Sequence, residues 1–171
     1  TLTLTGATTT TNYQTALQSI TYQNLSNNPS TATRTVTIIV NDGQDSDNLS
    51  ESSIRIITFT ADNDRPILSG GTADVSYTEQ GASQNIATGI IVTDPDMETI
   101  ASASITISPY DTDKDNLLFT SQNGITGDFS DGTLTLTGAT TTTNYQTALQ
   151  SITYQNLSNN PSTATRTVTI I

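Results

Sequence analysis

The sequence has no cysteine, no histidine and no tryptophan, and it has a single lysine among 171 residues. Without cysteine there is no disulfide framework, thiol nucleophile or zinc–thiolate site. Without histidine the commonest general base and metal ligand is missing. Sixteen acidic residues stand against five basic ones, which gives a net charge of −11. This sign opposes binding to nucleic acid or to an anionic membrane surface, and it favours binding of cations.

Long apolar runs are also missing, and residues 90–92 are typical of those present. Such runs fall far short of the ~20 residues of a transmembrane helix, so no membrane insertion is expected in this segment. Aromatic residues make up only 5% of the chain. A glycosidase could use paired carboxylates, but it would need an aromatic-lined cleft. We therefore expect that the chain is not an enzyme.

One stretch of the sequence occurs twice without a change, because residues 1–39 are identical to residues 133–171. Identity over so long a stretch includes positions that a shared fold alone would leave free to vary, so it indicates a tandem duplication. The copies start at Thr1 and Thr133, and the resulting period of ~132 residues is the size of a domain. The sequence therefore predicts an array of whole domains and excludes a solenoid of short repeats.

Short segments in which apolar and polar residues alternate predict β-strands along the chain. The predicted strands are 20–23, 34–40, 53–60, 74–78, 86–92, 102–107, 117–120 and 133–137. Threonine, about a fifth of the residues, also favours strands. Many short strands separated by turn signals are typical of an antiparallel sandwich. The expected fold class is all-β, with β-sandwich repeats.

One segment in each copy of the repeat has helical periodicity instead. Four apolar residues follow the i, i+3, i+4, i+7 spacing of a helix of about two turns: Tyr13, Ala16, Leu17 and Ile20, which recur as Tyr145, Ala148, Leu149 and Ile152. We expect Tyr145, Ala148, Leu149 and Ile152 to be buried against the sandwich, with Gln146 and Gln150 exposed. Each repeat is therefore predicted to contain one short helix.

A boundary between repeats is predicted at residues 62–66, where acids, asparagine and a strand-breaking proline lie between two strand-like segments. Residues 1–64 would be the C-terminal half of one repeat. Residues 65–171 would be the following repeat without its last strands.

Each of these two parts would leave a sheet edge open, which a stable protein must cover. We expect the edge beyond Ile171 to face another copy of the chain or the continuation of an array. Side chains such as Ile54, Ile56 and Phe59 would supply the missing contacts.

The acidic residues are clustered, and none of them lies in the repeated segment. The clusters are Asp42, Asp45, Asp47 and Glu51; Asp62 and Asp64; Asp94, Asp96 and Glu98; Asp111, Asp113 and Asp115; and Asp128 and Asp131. Grouping like charges is unfavourable unless a cation neutralises them. Oxygen ligands without histidine or cysteine favour Ca²⁺ or Mg²⁺. A plain solvated acidic junction is the alternative.

The order of these motifs resembles that of cadherins and of the cadherin-like repeats of giant bacterial adhesins. The family pattern is an early Glu, a D-x-D after the second strand, an A-x-D-G-like strand end and an N-D-N-x-P linker. Here Glu79, the V-T-D-P-D of 92–96, the V-N-D-G of 40–43 and the A-D-N-D-R-P of 61–66 stand in those places. The resemblance implies Ig-like Greek-key sandwiches with calcium ions between successive repeats.

In that family, the calcium ligands come from both sides of a linker. Carried over to this sequence, the resemblance implies the ligands Asp62, Asn63, Asp64, Asp94 and Asp96. Glu79 would serve the junction at the far end of its own repeat. Asp42 would face the junction that precedes Thr1.

Two departures from the family pattern remove negative ligands. Asn63 stands where the linker of cadherins has its central aspartate, and residues 133–156 contain no acidic mid-domain motif. We therefore expect one or two ions per junction and weaker affinity. Residues 111–116 mimic the start of an EF-hand loop, but Asn116 replaces its glycine and Gln122 its final glutamate. A charged hairpin turn is predicted there.

Together these features predict a structural protein of the bacterial cell surface or extracellular matrix. The chain would be a calcium-rigidified spacer or cohesive module, and its partners would be neighbouring repeats or head-to-tail copies of itself. A carbohydrate- or protein-binding adhesion module is the alternative, and it would show an exposed aromatic cleft or apolar patch. An accessory module of a secreted polysaccharide-degrading enzyme also stays open. Ice binding by threonine rows is not expected, because the repeat is a whole domain.

Overall fold

A computed structural model describes residues 1–96 and 99–171. Glu98, a member of the predicted 94–98 acidic cluster, lies outside the described residues. The chain divides into two compact units, the first unit (residues 1–61) and the second unit (residues 62–171). The boundary predicted from the sequence lies three residues later.

The first unit contains one helix and two strands, and the second contains nine strands and one helix within its described part. The elements are α1 (Thr10–Gln18), β1 (Arg34–Ile38), β2 (Ser53–Ile57), β3 (Ile67–Ser69), β4 (Gln84–Asn85), β5 (Ile91–Thr93), β6 (Ile100–Ser108), β7 (Asp115–Leu118), β8 (Thr126–Ser130), β9 (Thr133–Thr140), α2 (Thr142–Gln150), β10 (Thr153–Asn156) and β11 (Thr167–Ile170). The regular structure of the described residues is thus mostly β-strands with two short helices, which confirms the predicted all-β class.

The strands of the second unit form antiparallel sheets. The largest has four strands in the order β11-β6-β9-β8, and a second has three in the order β4-β10-β7. β3 and β5 form a two-stranded pair. In β6 and β9 the apolar residues alternate with polar ones, so one face of the largest sheet is apolar.

The core of the second unit lies where that apolar face meets the other sheets and α2. Its buried members are Ala87, Ile90, Val92, Ala103, Ile105, Leu117, Ile125, Leu134, Leu136, Tyr145, Ala148, Leu149 and Ile152. They come from both larger sheets, from the segment that includes β5, and from the helix. Each element therefore buries one face against the others, as layered domains require.

Helix α2 begins where the sequence allows a cap and buries the predicted face. The Thr141 hydroxyl accepts a hydrogen bond from the Asn144 amide at 3.2 Å, which satisfies one of the free donors of the first turn. Tyr145, Ala148 and Leu149 are buried, as is Ile152 just beyond the helix. The predicted helix and its buried face are confirmed.

The prediction that Gln146 and Gln150 are exposed is wrong, because both side chains are partly buried. The Gln146 side-chain oxygen accepts from the Val92 amide at 3.2 Å, and the Gln150 side-chain amide donates to the Ile90 carbonyl at 2.8 Å. The helix lies beside β5, and its glutamines supply the hydrogen bonds that a neighbouring strand would otherwise make.

Three predicted strands also differ in the structure, and the first of them, residues 20–23, forms no strand. Residues 74–78 form no strand; Tyr77 instead holds this segment through its hydroxyl, which donates to the Asn156 carbonyl at 3.0 Å. The predicted strand 86–92 is interrupted by a turn in which the Ile90 amide donates to the Ala87 carbonyl. Gly89 there adopts a φ of +79°, which an apolar–polar alternation cannot reveal.

The two copies of the repeated segment fold differently. Both form the helix, with Thr9 capping α1 as Thr141 caps α2. Leu134 is 2% exposed in β9, whereas the equivalent Leu2 is 65% exposed and lies in no strand. In the second unit, β4, β6, β7 and β8 pair with this segment. In the first unit, residues 1–8 pair with no strand.

Because the two copies have the same sequence but different burial, replacing the equivalent leucine in each copy gives a matched test of stability. Leu149→Ala should lower the free energy of unfolding by about 2–5 kcal/mol, because it opens a cavity in a closed core. Leu17→Ala changes the equivalent, only partly buried leucine, and should cause a clearly smaller loss. Denaturant unfolding followed by circular dichroism measures both. Equal losses would contradict this account of the core.

Candidate functional site

The structure brings the predicted linker and the D-x-D motif together. β3 pairs with β5 in antiparallel register, with Ile67 opposite Thr93. Continuing that register by three residues places Asp64 opposite Asp96. The Asp64 amide does donate to the Asp96 carboxylate, at 2.5 Å. Strand pairing thus joins two acidic segments that lie far apart in the sequence.

Asp96 is the buried member of this group, with 6% of its surface exposed. Its own amide donates to the Asp94 carboxylate at 2.8 Å, so the two aspartates form a tight local turn. Asn63 lies on the exposed side, where its side-chain amide donates to the Asp64 carbonyl at 3.1 Å. We name Asp64, Asp94 and Asp96, which are joined by these two bonds from backbone amides to carboxylates, the acidic group of the second unit.

The other predicted ligands lie elsewhere. Asp42 belongs to the first unit, where its carboxylate accepts from the Gln44 amide at 3.1 Å. Glu79 lies in an exposed turn whose next residue, Gln80, contacts Asn159. Asp62 is exposed in the linker.

The side chains of the acidic group offer only oxygen atoms as ligands, and Ca²⁺ prefers such ligands. The buried Asp96 carboxylate accepts the Asp64 amide, as the burial of a charged group requires compensation by hydrogen bonds or positive charge. Within residues 1–96 and 99–171, no three acidic side chains stand close enough together to hold a metal ion. The calcium site therefore stays a prediction.

A second cluster, which the sequence did not reveal, surrounds Asp115. Residues 112–114 form the predicted turn, and Lys114 pairs with Asp111 at 3.4 Å. Asp115 opens β7 and is only 2% exposed. Its carboxylate accepts hydrogen bonds from four donors: the Tyr154 hydroxyl at 2.6 Å, the Asn156 side-chain amide at 2.6 Å, the Asp111 amide at 2.8 Å and the Arg166 guanidinium at 3.1 Å.

These contacts decide the charge state of the Asp115 cluster. Burial alone would raise the pKa of Asp115, but the bonds from Tyr154, Asp111, Asn156 and Arg166 outweigh burial and hold this pKa below its usual value. Burial, together with the bond to Asp115, raises the pKa of Tyr154 to about 12. Four donors use the acceptor capacity of one carboxylate, so Asp115 acts as a structural anchor.

One signal in the sequence could have indicated this cluster. Arg166 and its equivalent Arg34 are the only charged residues in the two copies of the repeated segment. A lone cation in a neutral segment predicts an acidic partner in the rest of the repeat, but it does not say which acid. In the first unit Arg34 lies over the Phe59 ring instead, 4.2 Å from its centre.

No family model, curated protein or solved structure matches this chain. No helix in the described part of the chain is long and apolar enough to cross a membrane.

Replacing Asp115 should destabilise the second unit. Asp115→Asn leaves Arg166 without its carboxylate in a mostly buried site, so the free energy of unfolding should fall by about 3 kcal/mol. Asp113→Asn, at the tip of the same turn, is the control and should change it little. Similar losses for the two variants would contradict the anchoring role of Asp115.

The same anchor predicts a pH dependence. The pKa of Asp115 is lower in the folded chain than the value of about 3.9 in an unfolded chain. Its stabilisation is therefore complete above that value and is lost as the pH falls through the folded pKa. We expect unfolding curves of the natural chain between pH 5 and about 2 to lose more stability than those of Asp115→Asn. Parallel curves would show that Asp115 is not the group responsible.

Proposed function

We propose that this chain belongs to a tandem array of cadherin-like, Ig-like Greek-key β-sandwich repeats in a bacterial cell-surface adhesin or extracellular fibre. Its role is structural, as a calcium-stabilised spacer or cohesive module. The observation that supports it most directly is the contact of Asp64 with Asp96, which unites the linker and D-x-D motifs. The duplication of a segment at the spacing of a whole domain supports an array.

Calcium is the proposed cofactor because it would neutralise charges that the fold brings together. The acidic group would hold the ion with help from Asp62 and Asn63 in the linker. Calcium bound at a linker restricts the angles that the linker can sample, which turns a flexible connection into a stiff one. Asp42 and Glu79 would have the same role at other junctions of the array.

The proposed location is outside the cell, on the surface or in a fibre. Extracellular calcium modules bind the ion at about 10⁻⁴–10⁻³ M, which suits a site with few negative ligands. A chain without cysteine is not stabilised by disulfides there, so bound calcium is the available substitute.

A structural role is favoured over a carbohydrate-binding one by the placement of aromatic side chains. Tyr77 packs edge-to-face on Tyr154 at 5.2 Å, and Tyr110 packs in the same way on Phe129 at 6.0 Å. Aromatic rings that pack on each other in the fold are not offered as a flat platform for a sugar.

Calcium should stabilise the second unit. Addition of millimolar Ca²⁺ to chelator-treated protein should raise the melting temperature, with a gain on the order of 2–4 kcal/mol at saturation. Thermal unfolding by circular dichroism measures the shift, and small-angle scattering should show a more extended chain.

Variants test where the ion binds. Asp94→Ala and Asp64→Ala should each reduce the calcium-induced shift. Asp64→Ala keeps the backbone amide that bonds Asp96, so it removes the ligand and leaves that contact in place. Asp113→Ala, in the 112–114 turn, is the control and should leave the shift unchanged. Identical melting curves in chelator and in calcium would overturn the calcium proposal.

A further inference from the structure

The β3–β5 pair ends where a proline stands in each of the two segments. The last pair of the ladder joins Ile67 to Thr93. Beyond it, towards the linker, the chain continues with Pro66 on one side and with Pro95 on the other. A proline has no backbone N–H, so it cannot donate a hydrogen bond to a neighbouring strand. The backbone ladder therefore cannot continue regularly to residues 62–65, which we name the linker segment.

A side chain resumes the pairing beyond the prolines. The Asp64 amide donates to the Asp96 carboxylate at 2.5 Å, at the point where the register places these two residues opposite each other. In a regular antiparallel ladder the acceptor would be a backbone carbonyl, and here a carboxylate takes its place. A hydrogen bond to an ionised acceptor is about twice as strong as one between neutral groups. One side chain thus attaches the linker segment to the end of β5.

The Asp96 carboxylate is itself fixed by the turn that carries it. The Asp96 amide donates to the Asp94 carboxylate at 2.8 Å, which closes a turn of the kind that aspartate forms with nearby backbone. Only 6% of Asp96 is exposed, whereas Asp64 lies on the surface. A buried side chain held by its own turn has few other orientations to lose when it binds. The acceptor is therefore preorganised for the linker amide.

The linker segment depends on this single bond. Asn63 bonds within the segment, where its side-chain amide donates to the Asp64 carbonyl at 3.1 Å. Among residues 1–96 and 99–171, no other hydrogen bond joins the linker segment to the rest of the second unit. Loss of the Asp96 carboxylate would therefore release the whole segment.

We infer that Asp96 is a positioning residue whose carboxylate clamps the linker segment onto the second unit in the absence of calcium. It acts through the backbone of Asp64, and this role is additional to the role of ligand that the resemblance implies for Asp96. An ion then meets a linker that is already attached at one point, so less ordering remains when it binds. The inference rests on the proposed calcium role for this last step alone.

Hydrogen exchange of the Asp64 amide, measured by heteronuclear NMR on the full chain in chelator, tests the clamp. Asp64 is exposed, so without the clamp its amide should exchange at the rate of an unstructured peptide. With the clamp, exchange should be slower by a factor of about ten or more, as expected for a hydrogen bond to a charged group. The Ile107 amide, which donates to the Gly132 carbonyl at 2.9 Å, reports on opening of the second unit as a whole.

Three variants separate the clamp from a general effect of charge. Asp96→Ala removes the acceptor, so protection at position 64 should be lost while exchange at Ile107 changes much less. Asp96→Asn keeps an acceptor oxygen without its charge, so exchange at position 64 should become a few-fold faster but stay slower than in a peptide. Asp64→Ala is the matched control, because it removes a carboxylate from the same acidic group and leaves the backbone amide. Protection at position 64 should persist in it.

The clamp is overturned if the Asp64 amide of the natural chain exchanges at the peptide rate in chelator, a result that needs no variant. It is also overturned if Asp96→Ala leaves the protection intact, or if Asp64→Ala removes it to the same extent. If Asp96→Ala speeds exchange at Ile107 by the same factor, Asp96→Asn decides the question, and an unchanged rate at position 64 in that variant would overturn the clamp.

Repeating the measurements in calcium distinguishes this inference from the calcium proposal. Protection of the Asp64 amide in chelator, together with identical melting curves in chelator and in calcium, would overturn the calcium proposal alone. Protection that arises only after calcium is added, together with a raised melting temperature, would overturn the clamp alone.

Discussion

The hydrogen-bonded carboxylate of Asp115 is the contact on which the second unit depends. It joins the start of β7 to Tyr154 and Asn156 in β10 and to Arg166 just before β11. The aspartate comes from residues 66–132 and its three side-chain donors from the repeated segment, so one buried charge fixes how the two parts of the repeat meet. The apolar core supplies most of the stabilisation, but apolar contacts are not directional, and the carboxylate with its four donors sets the alignment of these strands.

The repeated segment separates local from non-local determinants of structure. Its helix forms in both units because the threonine cap and the helical spacing are contained within one short segment. Its strands form only where partners are present: residues 133–140 pair with β6 and β8, while the identical residues 1–8 form no strand. Helix position could therefore be predicted from sequence, whereas strand formation could be predicted only as a tendency that pairing must satisfy.

The distinction between local and non-local determinants also explains which parts of the candidate site could be predicted from the sequence. The meeting of Asp64 with Asp96 could be predicted, because the order of motifs in a familiar type of repeat places them at one boundary, and the β3–β5 register brings them there. The burial of Asp115 could not, because an acid in a D-x-D-x-D turn looks solvent-exposed until the neighbour of its strand is known. Gln146 and Gln150 differ from the prediction for a related reason. Periodicity shows which face of a helix is polar, but not that this face lies along the backbone of a strand.

Identity between repeats creates a problem of recognition during folding. Residues 66–132 lie between the two identical copies, residues 1–39 and residues 133–171. During synthesis they therefore emerge after the first copy, which is an identical competitor, and before the second copy, with which they pair in the fold. The β1–β2 hairpin occupies one edge of that earlier copy through pairs that are close in the sequence, such as Ile38 with Ser53. Such local pairs form sooner than pairings across a whole domain. Local pairing thus allows the β1–β2 hairpin to form before the strands of residues 66–132 have been synthesised.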